Sequence, residues 1–363
     1  MNKAKYPTYP VGEYKGDWSE IDVTKAPHFM PGRPPARLDD ITFEDELVPV
    51  WGRNWGSRSK VGRVHTVLVS RPGGAEINPS TSGYPEYFLY AGKAGIPGYG
   101  VASTPDEMPD LELMRVQHDQ YTQILKDEGV EVIYAEFPEK MMGAYLPYRG
   151  AGYPAPLMSR TGCIIGRSAL AWKRGQEAIW TRKMAEIGVP ILYTVNGSGI
   201  FEGRVDWVDS TTVLLNVGHR GNREGFRQME WILKQDGVEE VVPVDVPGDM
   251  LTHLDCVFTM VAPRLALVYV PGLPYETLKL LESMGVELIE IPKDEIGKNP
   301  ANSFPLGPDK LIMPSGSPKT AEEVRARGIT VIETDLSETL KLGAGPDCMT
   351  LSLVRDESPP LSS

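Results

Sequence analysis

The sequence predicts an α/β protein built as a closed ring of five αβ units, and three observations predict it. An amphipathic helix, a glycine and a β-branched strand follow one another five times. The pivots, Gly129, Gly188, Gly237, Gly285 and Gly328, lie 59, 49, 48 and 43 residues apart, near the period that marks arrays and propellers. Further β-branched strands lie between the helices, so each unit reads strand, helix, strand. The same alternation allows a doubly wound sheet. No G-x-G-x-x-G follows a strand, which argues against a dinucleotide-binding form of that sheet.

Residues 1–60 are rich in Pro, Gly, Trp and Asp with little periodicity, and read as an irregular, mostly extended arm. The ring is expected over 61–355, and 356–363 reads as a flexible tail. The first strand is VHTVLVS, 64–70, stopped by Arg71-Pro72-Gly73. After a loop-rich stretch to about 108 come PDLELMRVQHDQYTQILKDEGVEVIYAE and GQEAIWTRKMAEIGVPILYTV. FRQMEWILKQDGVEEVVPVDV, YETLKLLESMGVELIEI and AEEVRARGITVIETD complete the five. Each glycine follows the last helical turn, where a left-handed residue ends the helix at least steric cost. CIIGR, TTVLLNVG, RLALVYV and KLIMP supply the intervening strands.

Hydrophobic residues make up 41% of the 363 and charged residues 24%, enough to bury a core. The net charge of −12 disfavours nucleic acid and anionic membrane as partners, because an acidic surface attracts neither. The start MNKAKYPTYP lacks an apolar signal core, and no run approaches the roughly 20 apolar residues that span a bilayer. Three scattered cysteines make no disulfide framework or close-spaced metal pattern, and the five histidines show no paired ligand spacing. No metal or cofactor is expected. A soluble protein of the reducing cytoplasm is the expected setting, with homo-oligomerisation left open.

Four stretches carry polar residues that a scaffold does not need. In KLGAGPDCMTLSL, 341–353, Cys348 follows a glycine-proline turn and begins an apolar run. Such a junction can hold a nucleophile both exposed and rigid, whereas Cys163 and Cys256 sit in strand-like apolar runs and read as core. In LTHLDCVFTMV, 251–261, His253 and Asp255 are two apart and would share one side of a strand. Burying both is costly without a partner or a task, although a core histidine is the ordinary alternative. In GIFEGRVDW, 199–207, Glu202 leaves an apolar pair into a glycine turn, toward either a cleft or solvent. In GCIIGRSALAWKRGQE and NVGHRGNREG, Arg167 and Arg220 follow strands. Each is a surface charge or a planar fork matched to a carboxylate. A thiol is nucleophilic as its thiolate, which a nearby imidazole favours. Cys348 and His253 lie 95 residues apart, so only a fold that brings strand ends to one axis would join them.

In order and spacing these motifs resemble those of the guanidino-group-modifying superfamily, the penteins, which includes arginine deiminases, dimethylarginine dimethylaminohydrolases and amidinotransferases. The resemblance spans roughly residues 60–355. VHTVLVSRPG resembles its first strand, CIIGR with KRGQE its arginine-bearing second unit, and FEGRVD its F/L-E-G-G-D. VGHRGNREG resembles its G-x-x-x-R-T/G-N turn, HLDCVF its H-x-D strand and GAGPDCMTLSL its nucleophile motif. The resemblance implies a five-bladed αβ propeller with the site at its centre and a small guanidino or amidino substrate. It implies a hydrolase of a C–N bond in which Cys348 attacks the central carbon to form a covalent thiouronium. His253 would protonate the departing amine and then activate water, which needs a pKa near the operating pH. Glu202 is implied as the third catalytic residue. With Asp255 it would hold the cationic head by charge-assisted bonds. Asp206 would be a further substrate contact, and Arg167 and Arg220 would hold a substrate carboxylate.

The departures bear on the substrate. No Asp or Glu lies between Glu139 and Glu177, where the family places an acid that binds the guanidinium. Tyr153 or its neighbours would fill that space. Each lost charged hydrogen bond weakens such binding by about 1.5–3 kcal/mol, which points to a less cationic substrate or a different C–N compound. Arg204-Val205 precede Asp206 in the altered F-E-G-G-D, and the extra cation would favour an anionic part of the substrate. Trp18, Trp51 and Trp55 would cover the site or an oligomer face, and His219 reads as substrate contact or surface. Two alternatives stay open: an amidinotransferase, in which an amine replaces water, and a non-catalytic binding protein on the same fold.

Overall fold

The computed structural model describes residues 41–72, 110–135, 156–169, 175–218, 220–246, 253–341, 343–358 and 361. Trp18, Tyr153 and His219 lie outside the described residues. The chain forms two compact units, 1–54 and 55–363. The described part of the first holds a short helix, α1 (Phe43–Glu46). The Thr42 hydroxyl accepts from the Asp45 N–H and the Asp45 carboxylate accepts from the Thr42 N–H, so two donors left open at the helix start are satisfied reciprocally. The boundary expected at residue 60 falls inside the second unit.

The described strands of the second unit form five small sheets. The first contains β1 (Gly56–Ser57), β2 (Val64–Val69) and, after α2 (Leu111–Asp127), β3 (Glu131–Tyr134). The second contains β4 (Pro156–Met158), β5 (Cys163–Ile165) and, after α3 (Gln176–Glu186), β6 (Ile191–Thr194). The third contains β7 (Val205–Trp207), β8 (Thr212–Val217) and, after α4 (Arg223–Gln235), β9 (Glu240–Asp245). The fourth contains β10 (Phe258–Ala262), β11 (Leu265–Val268) and, after α5 (Tyr275–Ser283), β12 (Glu287–Glu290). The fifth contains β13 (Phe304–Gly307), β14 (Lys310–Pro314) and, after α6 (Pro318–Ala326), β15 (Thr330–Thr334). A short helix, α7 (Ser337–Leu340), leads to the last strand, β16 (Thr350–Arg355).

One pattern recurs in every sheet. The middle strand pairs parallel with the strand that follows a helix and antiparallel with its other neighbour. Parallel pairing requires a crossover, which the helix supplies. In the first sheet the antiparallel partner is β16, which returns from the end of the chain to place Leu351 opposite Leu68. The strand–helix–strand unit expected from sequence thus gains an antiparallel strand at its start. Five separate sheets exclude the doubly wound alternative, which needs one continuous sheet. The five pivot glycines have φ of 80°, 82°, 88°, 73° and 81°, the left-handed region expected at a helix end.

The helices cover the sheets with apolar stripes. In α2 the buried Met114, His118, Tyr121 and Leu125 recur at helical spacing. Tyr121 and Leu125 join Val67, Val69, Phe304, Ile312, Cys348 and Met349 in one core cluster, so the Cys348 turn is built on that core. After β16, the Leu361 N–H donates to Asp209 at 2.7 Å and its carbonyl accepts from Arg264 at 2.8 Å. These contacts fasten that part of the expected tail to the β7–β8 and β10–β11 turns. Among the described residues no helix is long and apolar enough to cross a membrane.

Candidate active site

Glu202, Asp255 and Cys348 share one structural address: each lies two or three residues before the antiparallel strand of its unit, β7, β10 or β16. Asn302 has the same place before β13. Where units repeat, equivalent positions can meet, and three of these four do. The Asn302 Nδ2 donates to Cys348 Sγ at 3.0 Å, and Sγ lies 3.4 Å from Asp255 Oδ2. Asp255 also accepts from the Cys256 thiol at 3.7 Å.

The turn carrying Cys348 is held at both ends by Tyr121. Its hydroxyl donates to the Pro346 carbonyl at 3.2 Å and shares a 2.5 Å hydrogen bond with the Thr350 hydroxyl. Burial raises the Tyr121 pKa, so the phenol stays a neutral donor. Cys348 is only 1% exposed, whereas an exposed nucleophile was expected. Its turn folds inward because its neighbours Ala344 and Met349 are core residues.

A second expectation is corrected at His253 and Asp255. They do not share a strand: Leu254–Cys256 form a 3-10 turn and β10 begins only at Phe258. The Cys256 N–H donates back to the His253 carbonyl at 3.2 Å, so alternation does not govern their directions. Both are buried, His253 at 1% and Asp255 at 0% exposure.

Arg204 compensates the buried acids. Its Nε lies 3.2 Å from Asp255 Oδ2 and 3.5 Å from Asp347 Oδ2, and its terminal nitrogens donate to the carbonyls of Asp347 and Thr350. Lys60 Nζ contacts the other Asp347 oxygen at 2.6 Å. The guanidinium expected to favour an anionic part of the substrate is therefore engaged within the protein. Burial works against ionisation of Asp347, but Arg204 and Lys60 outweigh it and hold its pKa below the usual value. For Asp255 burial wins and its pKa is raised. Lys60, Arg204 and Asp347 also line a polar cleft that continues along Trp207, Ser352 and Arg355.

Asp206, on β7, is 3% exposed, and burial raises its carboxyl to about 7. Lys60 and Arg204 oppose that rise, while Asp255 and Asp347 reinforce it. A carboxyl raised on folding binds its proton more tightly in the folded state, so stability falls as pH rises from the unfolded pKa near 4 to about 7. Asp206→Asn mimics the protonated form. It should match wild type in acid and exceed it at pH 8 by on the order of 4 kcal/mol. Urea denaturation across this range checks it: an equal offset at every pH would contradict the assignment.

Glu202 belongs to a second group. It accepts from the Ser168 hydroxyl and lies 3.4 Å from Arg220, which is 2% exposed. Its loop is fixed by the G-N-R-E-G stretch. Asn222 Oδ1 accepts from Ile200 N–H at 3.0 Å and from Gly225 N–H at 2.8 Å, capping α4 and holding the loop at once. A Cβ on Gly225 would stand 1.8 Å from the Ile200 carbonyl oxygen, so only glycine permits this approach. Arg167 pairs its backbone with Phe201, and its side chain donates to the Gly199 carbonyl at 3.0 Å. The loop 199–204 thus serves both groups, with Glu202 in one and Arg204 in the other.

Lys60, Asn302 and Asp347 escaped the sequence reading. An acid beside the candidate nucleophile was a usable signal for Asp347. Lys60 and Asn302 read as arm and turn residues. Among the described residues no group of three or more His, Cys, Asp or Glu side chains is placed to hold a metal ion.

No family model matches the chain. A 2-nitroimidazole nitrohydrolase of Mycobacterium sp. (strain JS330) is 22% identical over 375 residues, spanning 97% of this chain and 96% of its own length. The N(G),N(G)-dimethylarginine dimethylaminohydrolase of Pseudomonas aeruginosa is 25% identical over 253 residues, 69% of this chain and 93% of its own. The N-terminal domain of ArgZ, an arginine dihydrolase from Cyanobacteria, has a TM-score of 0.64 at 19% identity, covering 81% of this chain and 98% of that one. With the order of motifs and the repeated unit already described, these similarities show that the chain resembles enzymes of the guanidino-group-modifying (pentein) superfamily in sequence and in fold.

Proposed function

We propose that the protein is a cysteine-dependent hydrolase of a C–N bond at an amidine-type carbon, with Cys348 as nucleophile. The observation that carries this reading is the setting of the Cys348 thiol, between an amide donor at 3.0 Å and a buried carboxylate at 3.4 Å. A packing cysteine needs neither. In this reading Asp255, whose pKa burial raises, takes the thiol proton as Sγ forms a bond to the sp2 carbon. His253 protonates the departing amine as the C–N bond breaks, leaving a thiouronium. His253 then removes a proton from water as its oxygen adds to that carbon, and the C–S bond breaks with the sulfur leaving as thiolate and regaining its proton from Asp255. Splitting one displacement into two lowers each barrier. Glu202 holds substrate N–H groups by charge-assisted bonds. Arg167 and Arg220 shape the Glu202 loop, and a substrate carboxylate would have to compete for Arg220 with Glu202. The five units are arranged as blades of a ring, which the return of β16 to β2 supports. The reducing cytoplasm suits a thiol nucleophile.

The missing acid between Glu139 and Glu177 favours a substrate less cationic than a guanidinium. The relative spanning 97% of the chain is named for a 2-nitroimidazole. Guanidines, amidines and 2-substituted imidazoles all present a carbon bonded to two or more nitrogens. The test is a time course with arginine, methylated arginines, agmatine and 2-nitroimidazole, each with and without glycine. Hydrolysis releases ammonia, an amine or nitrite independently of glycine. Amidino transfer to glycine would replace the hydrolase by a transferase. No turnover, with no chloroacetamidine adduct on Cys348, would leave a binding protein.

A further inference from the structure

Asn302 reaches Cys348 with both ends of its amide. It closes the 3-10 turn Pro300–Asn302 and is fully buried. Its Oδ1 accepts from the Cys348 N–H at 2.9 Å and the Gly345 N–H at 3.1 Å. Two backbone donors can face only an acceptor, so the orientation of the amide is fixed. The Nδ2 group is therefore the one directed at Cys348 Sγ, at 3.0 Å, and at the Asp255 carbonyl, at 3.4 Å. A Cβ on Gly345 would lie 2.8 Å from Oδ1, so the absence of a side chain there admits the amide.

Each amide group has a distinct consequence. Oδ1 locks the backbone of the turn. Nδ2 gives the sulfur an N–H donor, and such a bond is stronger to a charged acceptor, so it favours thiolate over thiol. On the other side of Sγ, Asp255 pulls the opposite way, since an ionised carboxylate beside a sulfur disfavours a second negative charge. Asn302 offsets this without adding a charge to a cluster that already holds Asp206, Asp255, Asp347, Lys60 and Arg204.

We propose that Asn302 is the positioning residue of the Cys348 nucleophile, fixing Sγ in place through Oδ1 and favouring its thiolate through Nδ2. The inference rests on Cys348 being the nucleophile. The charged group beside the sulfur is Asp255, at 3.4 Å, which in turn faces Arg204, Asp347 and Lys60, with His253 two residues from Asp255 and Tyr121 behind the turn. All are retained in Asn302→Ala and in Asn302→Ser, the latter serving if the former does not fold. The thiolate titration of Cys348 is read as the ultraviolet thiolate absorbance of each protein minus that of its Cys348→Ser counterpart.

The expected result is a midpoint about one pH unit or more higher in the variant, because a hydrogen bond to a charged group is lost. Turnover should fall below the new midpoint and recover above it. A lowered Tm with an unchanged midpoint would show a purely structural role and overturn the inference, while Cys348 stays the nucleophile. Undiminished turnover in Cys348→Ser would instead overturn the reading of the site on which the inference rests.

Discussion

Cys348→Ser is expected to lose at least about 10³-fold in kcat while keeping its fold and its affinity for substrate. The exchange replaces sulfur by oxygen in the same stereochemistry. A serine hydroxyl can still accept from Asn302 and donate to Asp255, so the turn held by Tyr121 at Pro346 and Thr350 keeps its contacts. What it loses is the accessible anion, because the thiol ionises many orders of magnitude more readily than an alcohol. Asp255 is a weak base for a thiol and a far weaker one for an alcohol. Stability should change by no more than about 1 kcal/mol, the usual range for a shape-conserving exchange. Single-turnover kinetics and denaturation measured together decide it. Retention of more than a tenth of wild-type kcat would remove Cys348 from the chemistry, and a collapse of stability would make the loss uninterpretable as catalytic.

The repeating helix–glycine–strand pattern was legible because it rests on local physics. Each helix buries a stripe at helical spacing, and each glycine takes the left-handed turn after it. Apart from β10, which lies in a stretch read as a strand, the antiparallel strands were not legible. β4 and β7 span three residues each, too short for a period-two signal, and β16 belongs to the first sheet only through pairing across the whole chain. The H-x-D stretch misled for a related reason. HLDCVF is apolar enough for a strand, yet its first residues tighten into a 3-10 turn before Phe258, and side-chain direction there follows the turn.

For the site, residues with rare chemistry were found and residues with common chemistry were missed. A cysteine after a glycine-proline turn and a buried His–Asp pair are unusual in any sequence. An asparagine in KNPANS is ordinary turn composition, and only its equivalence to Asp255 and Cys348 in a repeated unit marks it. Lys60 lay in a stretch read as arm, because nothing local shows that it will reach Asp347. Arg204 was read as facing substrate because its charge looked unanswered in sequence. Its partners, Asp255 and Asp347, are 51 and 143 positions away.

Those partners make Arg204→Met the substitution with the largest expected cost in stability. Asp255 and Asp347 are 0% and 1% exposed, and Arg204 touches both. Deleting one member of a buried ionic group leaves the other charge uncompensated, which costs about 3–5 kcal/mol. Here two carboxylates are affected, so about 5 kcal/mol is expected at pH 8. The buried carboxylates can escape the penalty by taking up protons, so the deficit should shrink as pH falls toward 5. Asp347 keeps Lys60 at 2.6 Å, which places most of the cost on Asp255. Adding Asp255→Asn to Arg204→Met should therefore restore more stability than adding Asp347→Asn. Arg204→Lys should not restore it fully, because an ammonium cannot serve a carboxylate and two carbonyls with the spread of a guanidinium. Chemical denaturation of the single and double variants at pH 5 and pH 8 provides the test. A pH-independent loss, or equal rescue by both second substitutions, would show that Arg204 acts through packing and not by balancing the acid beside the nucleophile.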